Sequence, residues 1–186
     1  MLFAGNAYAE VTSAQDMLIS LNHSLGPVWH LVTGLAYILG IGFMFKAIYH
    51  LKVYGELRTM MASNTGLKEP IAYLIVGAVF AYLPTGLDIV MNTTFGSTSI
   101  LQYSDWVGAG GVTNPSAMIA VFRLVQLIGV IAFIRGWVLV AQASKHGGGG
   151  QATYGKGLTH IIGGILAINI IATSNILSNT LGISFT

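Results

Sequence analysis

Four long apolar runs alternate with two short basic segments along this chain, and that alternation leaves little room for a soluble fold. The runs are Val28 to Phe45, Ile71 to Met91, Ala117 to Ala143 and Leu158 to Ile176. A helix rises about 1.5 Å per residue, so roughly 20 apolar residues cross a hydrocarbon layer of ~30 Å. All four runs are close to that length. Composition agrees: 54% of the 186 residues are hydrophobic and 8% are charged, against about 25% charged residues in a soluble domain. Too few charges remain to solvate an exterior, which argues against a soluble bundle of buried helices. The expected fold is therefore all-α, a polytopic membrane protein with four transmembrane helices arranged as two tandem hairpins, plus an N-terminal amphipathic helix. Its divisions read as 1–27, an external N-terminal segment; 28–91, the first hairpin; 92–116, an external loop; and 117–186, the second hairpin with a short tail.

The amphipathic helix is read from Val11, Ala14, Met17, Leu18, Leu21 and Leu25, which fall three and four residues apart and make one apolar stripe. Ser13 and Asp16 offer a capping pair at its start. Gly26-Pro27 is expected to break it before the first span. Such a helix, Thr12 to Leu25, suits a membrane surface or a partner, and ordinary packing accounts for it equally well. Residues 1–9 end in Ala7-Tyr8-Ala9, which resembles a signal-peptide cleavage tail. A basic front and a longer apolar centre are missing, so either the natural start lies upstream or the match is accidental.

Orientation follows from lysine and arginine. Lys52, Arg58, Lys68, Lys145 and Lys156 lie in the first and third connections, with Lys46 and Arg135 beside them at the helix ends. The N-terminal segment and the stretch from Asn92 to Pro115 carry neither residue type. By the positive-inside rule the basic connections are cytoplasmic, and both termini and the central loop are periplasmic. Lys46, Lys52, Arg135, Lys145 and Lys156 are then basic groups facing lipid headgroups, for which snorkelling is sufficient. Tyr103 and Trp106 in the central loop suit a membrane interface.

The two halves read as a repeat. Gly40 to Lys46 aligns with Gly129 to Arg135 at a shift of 89, and Gly77 meets Gly164 at a shift of 87. Small residues four apart, which permit close helix approach, occur once per span: Ala36/Gly40, Gly77/Ala81, Ala132/Gly136 and Gly163/Ala167. Gly40, Gly77, Gly136, Gly163 and Gly164 are accordingly expected at packed helix faces, and Pro84 is expected to kink the second span.

Few polar groups lie at membrane depth. Asp88 and Arg123 sit at matching depths near the outer ends of the second and third spans, where a charge is costly unless paired or wetted. They suit an ion pair, within the subunit or across an interface, and outer headgroups would serve each of them equally. No catalytic set emerges. Cysteine is absent, and His23, His30, His50, His146 and His160 show no metal-ligand spacing, so neither a metal nor a cofactor is expected. Gly147 to Gly150 with Lys156 lacks the Gly-Lys-Ser/Thr of a phosphate loop. A net charge of +2, without a basic stripe, gives no reason to expect nucleic acid.

The segment Tyr154-Gly-Lys-Gly-Leu-Thr-His-Ile-Ile-Gly-Gly-Ile-Leu-Ala-Ile-Asn169 resembles the last span of the IcmC/DotE family. These are small inner-membrane components of the Dot/Icm type IVB secretion apparatus, related to TraQ-type proteins of conjugative plasmids. The resemblance is strongest over Gly147 to Asn179 and fits the chain in length, span number and lack of cysteine. It implies a non-enzymatic structural subunit in a bacterial inner membrane, with lipids, other secretion-system subunits or a second copy of itself as partners. It implies no catalytic residues. A small ion or solute transporter or channel is the competing expectation.

Overall fold

The computed structural model describes residues 14–60, 66–96, 115–145 and 154–182, and among them it contains helices and no strand. In chain order these are α1 (Ala14–Thr59), α2 (Lys68–Ala81), α3 (Leu83–Phe95), α4 (Pro115–Ala143), α5 (Tyr154–Ile168) and α6 (Ile170–Leu181). Within α1 and α4, the stretches His23–Thr59 and Ile119–Ala143 are each long and apolar enough to cross a membrane. The pairs α2/α3 and α5/α6 meet that test only together, and they are bent by 88° and 95°. Apolar helices of this length mark a membrane protein, with two spans or up to four. Its surface agrees: Ile38 is 67% exposed and Phe45 69%, an arrangement that suits lipid better than water.

The structure corrects the expected start. Gly26-Pro27 does not separate an amphipathic helix from a span; α1 runs without interruption for 46 residues, with Pro27 inside it. Proline removes one backbone donor, and a long helix that is well formed on both sides tolerates that single loss. The start of the first basic connection, expected to follow the helix end at Lys46, is also helical through Lys52. It contains no glycine or proline, and Lys52 reaches Glu56 one turn on, at 3.8 Å. The helix ends only at Thr59, whose hydroxyl donates back to the Glu56 carbonyl. The expected capping at Ser13, the loop from 97 to 114 and the glycine-rich turn from 146 to 153 lie outside the described residues.

α1 and α2 pack antiparallel: Gly40 lies against Gly77, Phe80 and Ala81, while His50 lies near Glu69. α4 and α5 do the same, with Gly129 against Gly164 and Ile168 and Gly136 against Gly157 and Ile161. The starts of α2 and α5 come together, since Lys68 and Tyr154 share one shallow pocket. Early α1 lies beside early α4, where Trp29 and Arg123 line one cavity. Both hairpins therefore point the same way and gather their lysines at one end, with Arg123 at the other. A single core joins them, in which Tyr73, Phe80 and Met91 meet Val130, Phe133 and Ile168.

The second helix of each hairpin breaks at an equivalent place, Tyr82 and Asn169. These positions differ by 87, the shift that aligns Gly77 with Gly164. The chemistry differs. At Tyr82 the cause is Pro84, which cannot donate to the Phe80 carbonyl and sits in the first turn of α3. At Asn169 the side-chain oxygen accepts from the Ala172 N–H at 3.3 Å, an N-cap that starts a new helix. Thr173 reinforces it, its hydroxyl donating to the carbonyls of Leu166 and Asn169 at 2.9 Å each. The kink expected from Pro84 is present, but as a turn of nearly a right angle. The matching turn at Asn169 had no proline to announce it.

Candidate functional site

Where α3 swings away from α2, it leaves a cavity of about 410 Å³ between α1, α3 and α4. Trp29 and His30 reach it from α1, Leu87 and Asp88 from α3, and Arg123 and Gln126 from α4. Each arrives for a local reason. Leu87 belongs to the buried face Leu83, Leu87 and Met91 of α3, and Asp88 follows it at the exposed edge. Gln126, only 5% exposed, lies one turn after Arg123 on the same face of α4. A carboxylate and a guanidinium thus share a largely apolar chamber. Asp88 and Arg123, paired in the sequence by depth alone, are brought to the wall of one cavity, with Asp88 exposed and Arg123 half-buried.

A second polar group lies at the basic end, between α1 and α2. The Tyr73 hydroxyl donates to Glu69 Oε1 at 3.2 Å, and His50 Nε2 lies 3.7 Å from the same oxygen. The Lys46 ammonium stands 4.7 Å from the centre of the Tyr73 ring, a cation–π contact. Phe43 stacks on Tyr73 at 5.9 Å, which orients the ring. Lys46 and His50 are one turn apart on α1, and Glu69 and Tyr73 one turn apart on α2. Four polar or aromatic groups therefore converge across a single helix–helix contact. Sequence reasoning missed this cluster; the signal was the two four-residue spacings, which point at each other only once the hairpin closes.

Among the packing residues, Gly40, Gly77, Gly136 and Gly164 all sit in a hairpin seam. Gly163 does not: it is exposed, and a methyl group placed there would meet nothing within 4 Å. Successive helical residues point about 100° apart, so one of two adjacent glycines must face away. The seam on α5 runs Gly157, Ile161, Gly164, Ile168. Gly129 and Gly157 were missed as packing positions. Their signal is a spacing of seven, Gly129 to Gly136 and Gly157 to Gly164, two turns along each helix.

Of the basic residues, Lys46, Lys52, Arg135, Lys145 and Lys156 are all exposed, and Lys46 also covers Tyr73. Among the described residues no group of three or more histidines, cysteines or carboxylates could hold a metal ion. Set against known protein families, curated proteins and solved structures, the chain shows no match.

Proposed function

We propose that this chain is a non-enzymatic structural subunit of a type IVB secretion or conjugation apparatus in a bacterial inner membrane, with both termini periplasmic. The observation that supports it is the length of α1. Forty-six residues extend about 69 Å, more than twice the ~30 Å hydrocarbon layer. About 20 Å of helix projects at each end of the apolar stretch Val28 to Phe45. Met17, Ser20 and Leu21 are exposed on one projection, and Lys52, Glu56 and Arg58 on the other. A strut that leaves the membrane on both sides suits attachment to neighbouring subunits, and the Tyr154 to Asn169 resemblance suggests which machine those neighbours form.

Crosslinkable residues placed at Met17 and Lys52 should each trap a secretion-system neighbour in cells. A chain that crosslinks to nothing and purifies in mild detergent only as a monomer would refute the reading. Orientation has its own check. Ser144 is buried, its hydroxyl bonded to the Ala141 carbonyl, so the exposed Lys145 is the better labelling position. In cells with a permeabilised outer membrane, a cysteine at Ser99 should react with an impermeant thiol reagent and one at Lys145 should not.

A transporter or channel remains the second reading, favoured by the broken helices and by the cavity beside the first break, features that transport sites share. Flux into reconstituted vesicles that disappears in Asp88→Asn or Arg123→Gln would replace the structural role with this one.

A further inference from the structure

The cavity between α1, α3 and α4 sits at the end of the hairpins remote from Lys52, Lys68, Lys145 and Lys156. Arg123 precedes the end of α4 at Ala143 by 20 residues, about 30 Å of helix. Trp29 precedes Lys52 by 23 residues, about 35 Å. Both spacings match the thickness of a hydrocarbon core, so a basic end in one headgroup layer puts the cavity in the other. Trp29 fits that depth, since indole rings favour the interface. The 88° turn sets α3 across the axis of α2, along the membrane plane if α2 crosses it, and this brings Asp88 to the cavity wall.

We propose that the cavity is a phospholipid site selective for a zwitterionic headgroup with a primary amine, of the phosphatidylethanolamine type. The lipid phosphate takes Arg123 and its ammonium takes Asp88. The first carbons of a chain run along Leu25, Trp29 and Leu127, which supply the apolar wall. Charge complementarity selects this occupant. One guanidinium and one carboxylate match a headgroup carrying one phosphate and one ammonium, whereas a purely anionic lipid would meet Asp88 with like charge. A trimethylated amine carries no N–H to donate to the carboxylate. A guanidinium has five N–H donors in a planar fork, so Arg123 can hold a phosphate while keeping a protein contact. The volume also fits: about 410 Å³ holds a headgroup and the start of a chain, where a water takes only ~30 Å³. The proposal does not depend on the assembly role.

The test uses the full chain, delipidated in detergent and offered equal amounts of phosphatidylethanolamine, phosphatidylcholine and phosphatidylglycerol, with retained lipid counted by native mass spectrometry. Wild type should retain one phosphatidylethanolamine about tenfold over the others, the scale of one charge-assisted contact. Arg123→Gln should lose retention of all three. Asp88→Asn should keep a lipid but lose the amine preference, and Asp88→Glu should restore it. Leu127→Trp fills the chamber without touching either charge and should exclude lipid as well, which keeps the test decisive if a charge variant misfolds. Equal retention of the three lipids by wild type, or an unchanged preference in Asp88→Asn, would overturn the proposal. So would displacement by millimolar soluble phosphoethanolamine, which would mean a site for a free phosphate ester that makes no use of the apolar wall.

Discussion

The two hairpins share one plan and are held together differently. In the first, a methyl group built on Gly40 would lie 3.0 Å from the Ala81 nitrogen, and one on Gly77 would lie 2.8 Å from Met44 Cγ. The nearest obstacle at Gly77 is thus a flexible side chain. In the second, a methyl on Gly164 would lie 2.7 Å from the Gly129 oxygen and 2.7 Å from the Phe133 nitrogen, and one on Gly129 would lie 2.8 Å from the Ile168 nitrogen. Backbone is the nearest obstacle at these two positions, whereas Gly136 and Gly157 of the same seam first meet the side chains of Ile161 and Val140. Where the second hairpin has the crossing Gly136/Gly157, the first has the buried Ala47 and Pro70 at equivalent positions. It adds the ring cluster of Phe43, Tyr73 and Phe80 and the polar group around Glu69. The second hairpin instead buries the Trp137 indole N–H without a hydrogen-bond partner among the described residues. Both seams bring backbone against backbone, a few tenths of an ångström closer at Gly129 and Gly164 than at Gly40 and Gly77, and the first hairpin adds the ring cluster and the polar group. Membrane helices gain little from apolar burial relative to lipid, so each pair needs one of these sources of contact.

The sharpest way to break this comparison is Gly164→Leu. The atoms nearest its β-carbon are all backbone, so the loss should reach the upper end of about 1–3 kcal/mol, read from detergent-titrated unfolding of the whole chain. Gly163→Leu is the paired control, and its exposed position should keep the change within about 0.5 kcal/mol. Equal effects at the two positions would remove the seam. Because the seam lies inside the subunit, Gly164→Leu should act on folding first, and on assembly only as a consequence.

The next contrast is Gly129→Ala against Gly77→Ala. Gly129 meets backbone atoms from 2.8 Å and should lose more than about 1 kcal/mol, while at Gly77 the backbone stands back at 3.1 Å and the closer Met44 side chain can shift, so the loss there should be smaller. Parity between them would show that the halves are packed alike. Asn169→Ala removes the cap that starts α6, at about 1 kcal/mol. Pro84→Ala restores a donor to the first break and should be neutral or mildly stabilising in the same unfolding assay. The least effect is expected for Glu69→Gln, because partly exposed ion pairs contribute about 0–1 kcal/mol. A loss well above that range would mean that the polar cluster, and not the rings, holds the first hairpin.

Much of the fold was legible in the chain because membrane helices declare themselves by uninterrupted apolar length. The repeat was legible too, and more reliable than its few identities implied: Gly40/Gly129 and Gly77/Gly164 fall at matching places in the two seams. What misled the reading was punctuation. Pro27 looked like a stop, yet α1 passes through it, while Asn169 looked like part of a span and begins a new helix. A proline can be carried through, as Pro27 is, or can turn the chain, as Pro84 does by 88°, and an asparagine that caps can turn it as sharply. Which of these happens depends on what the flanking turns pack against.

The depth match of Asp88 and Arg123 could be counted from the span ends, and the chamber that they share could not. Its walls come from three helices, and it opens only because α3 turns at Tyr82. The Lys46–His50–Glu69–Tyr73 cluster is of the same kind, two local spacings given meaning by a contact between helices. By itself the sequence determined helix, membrane and a common basic end, because these depend on composition and on period along one segment. Tertiary structure alone decided which glycine of Gly163 and Gly164 meets a neighbour, how sharply the paired helices bend, and which polar groups converge. Those outcomes depend on the register between segments distant in the chain, and a single glycine reads the same whichever way its helix is turned.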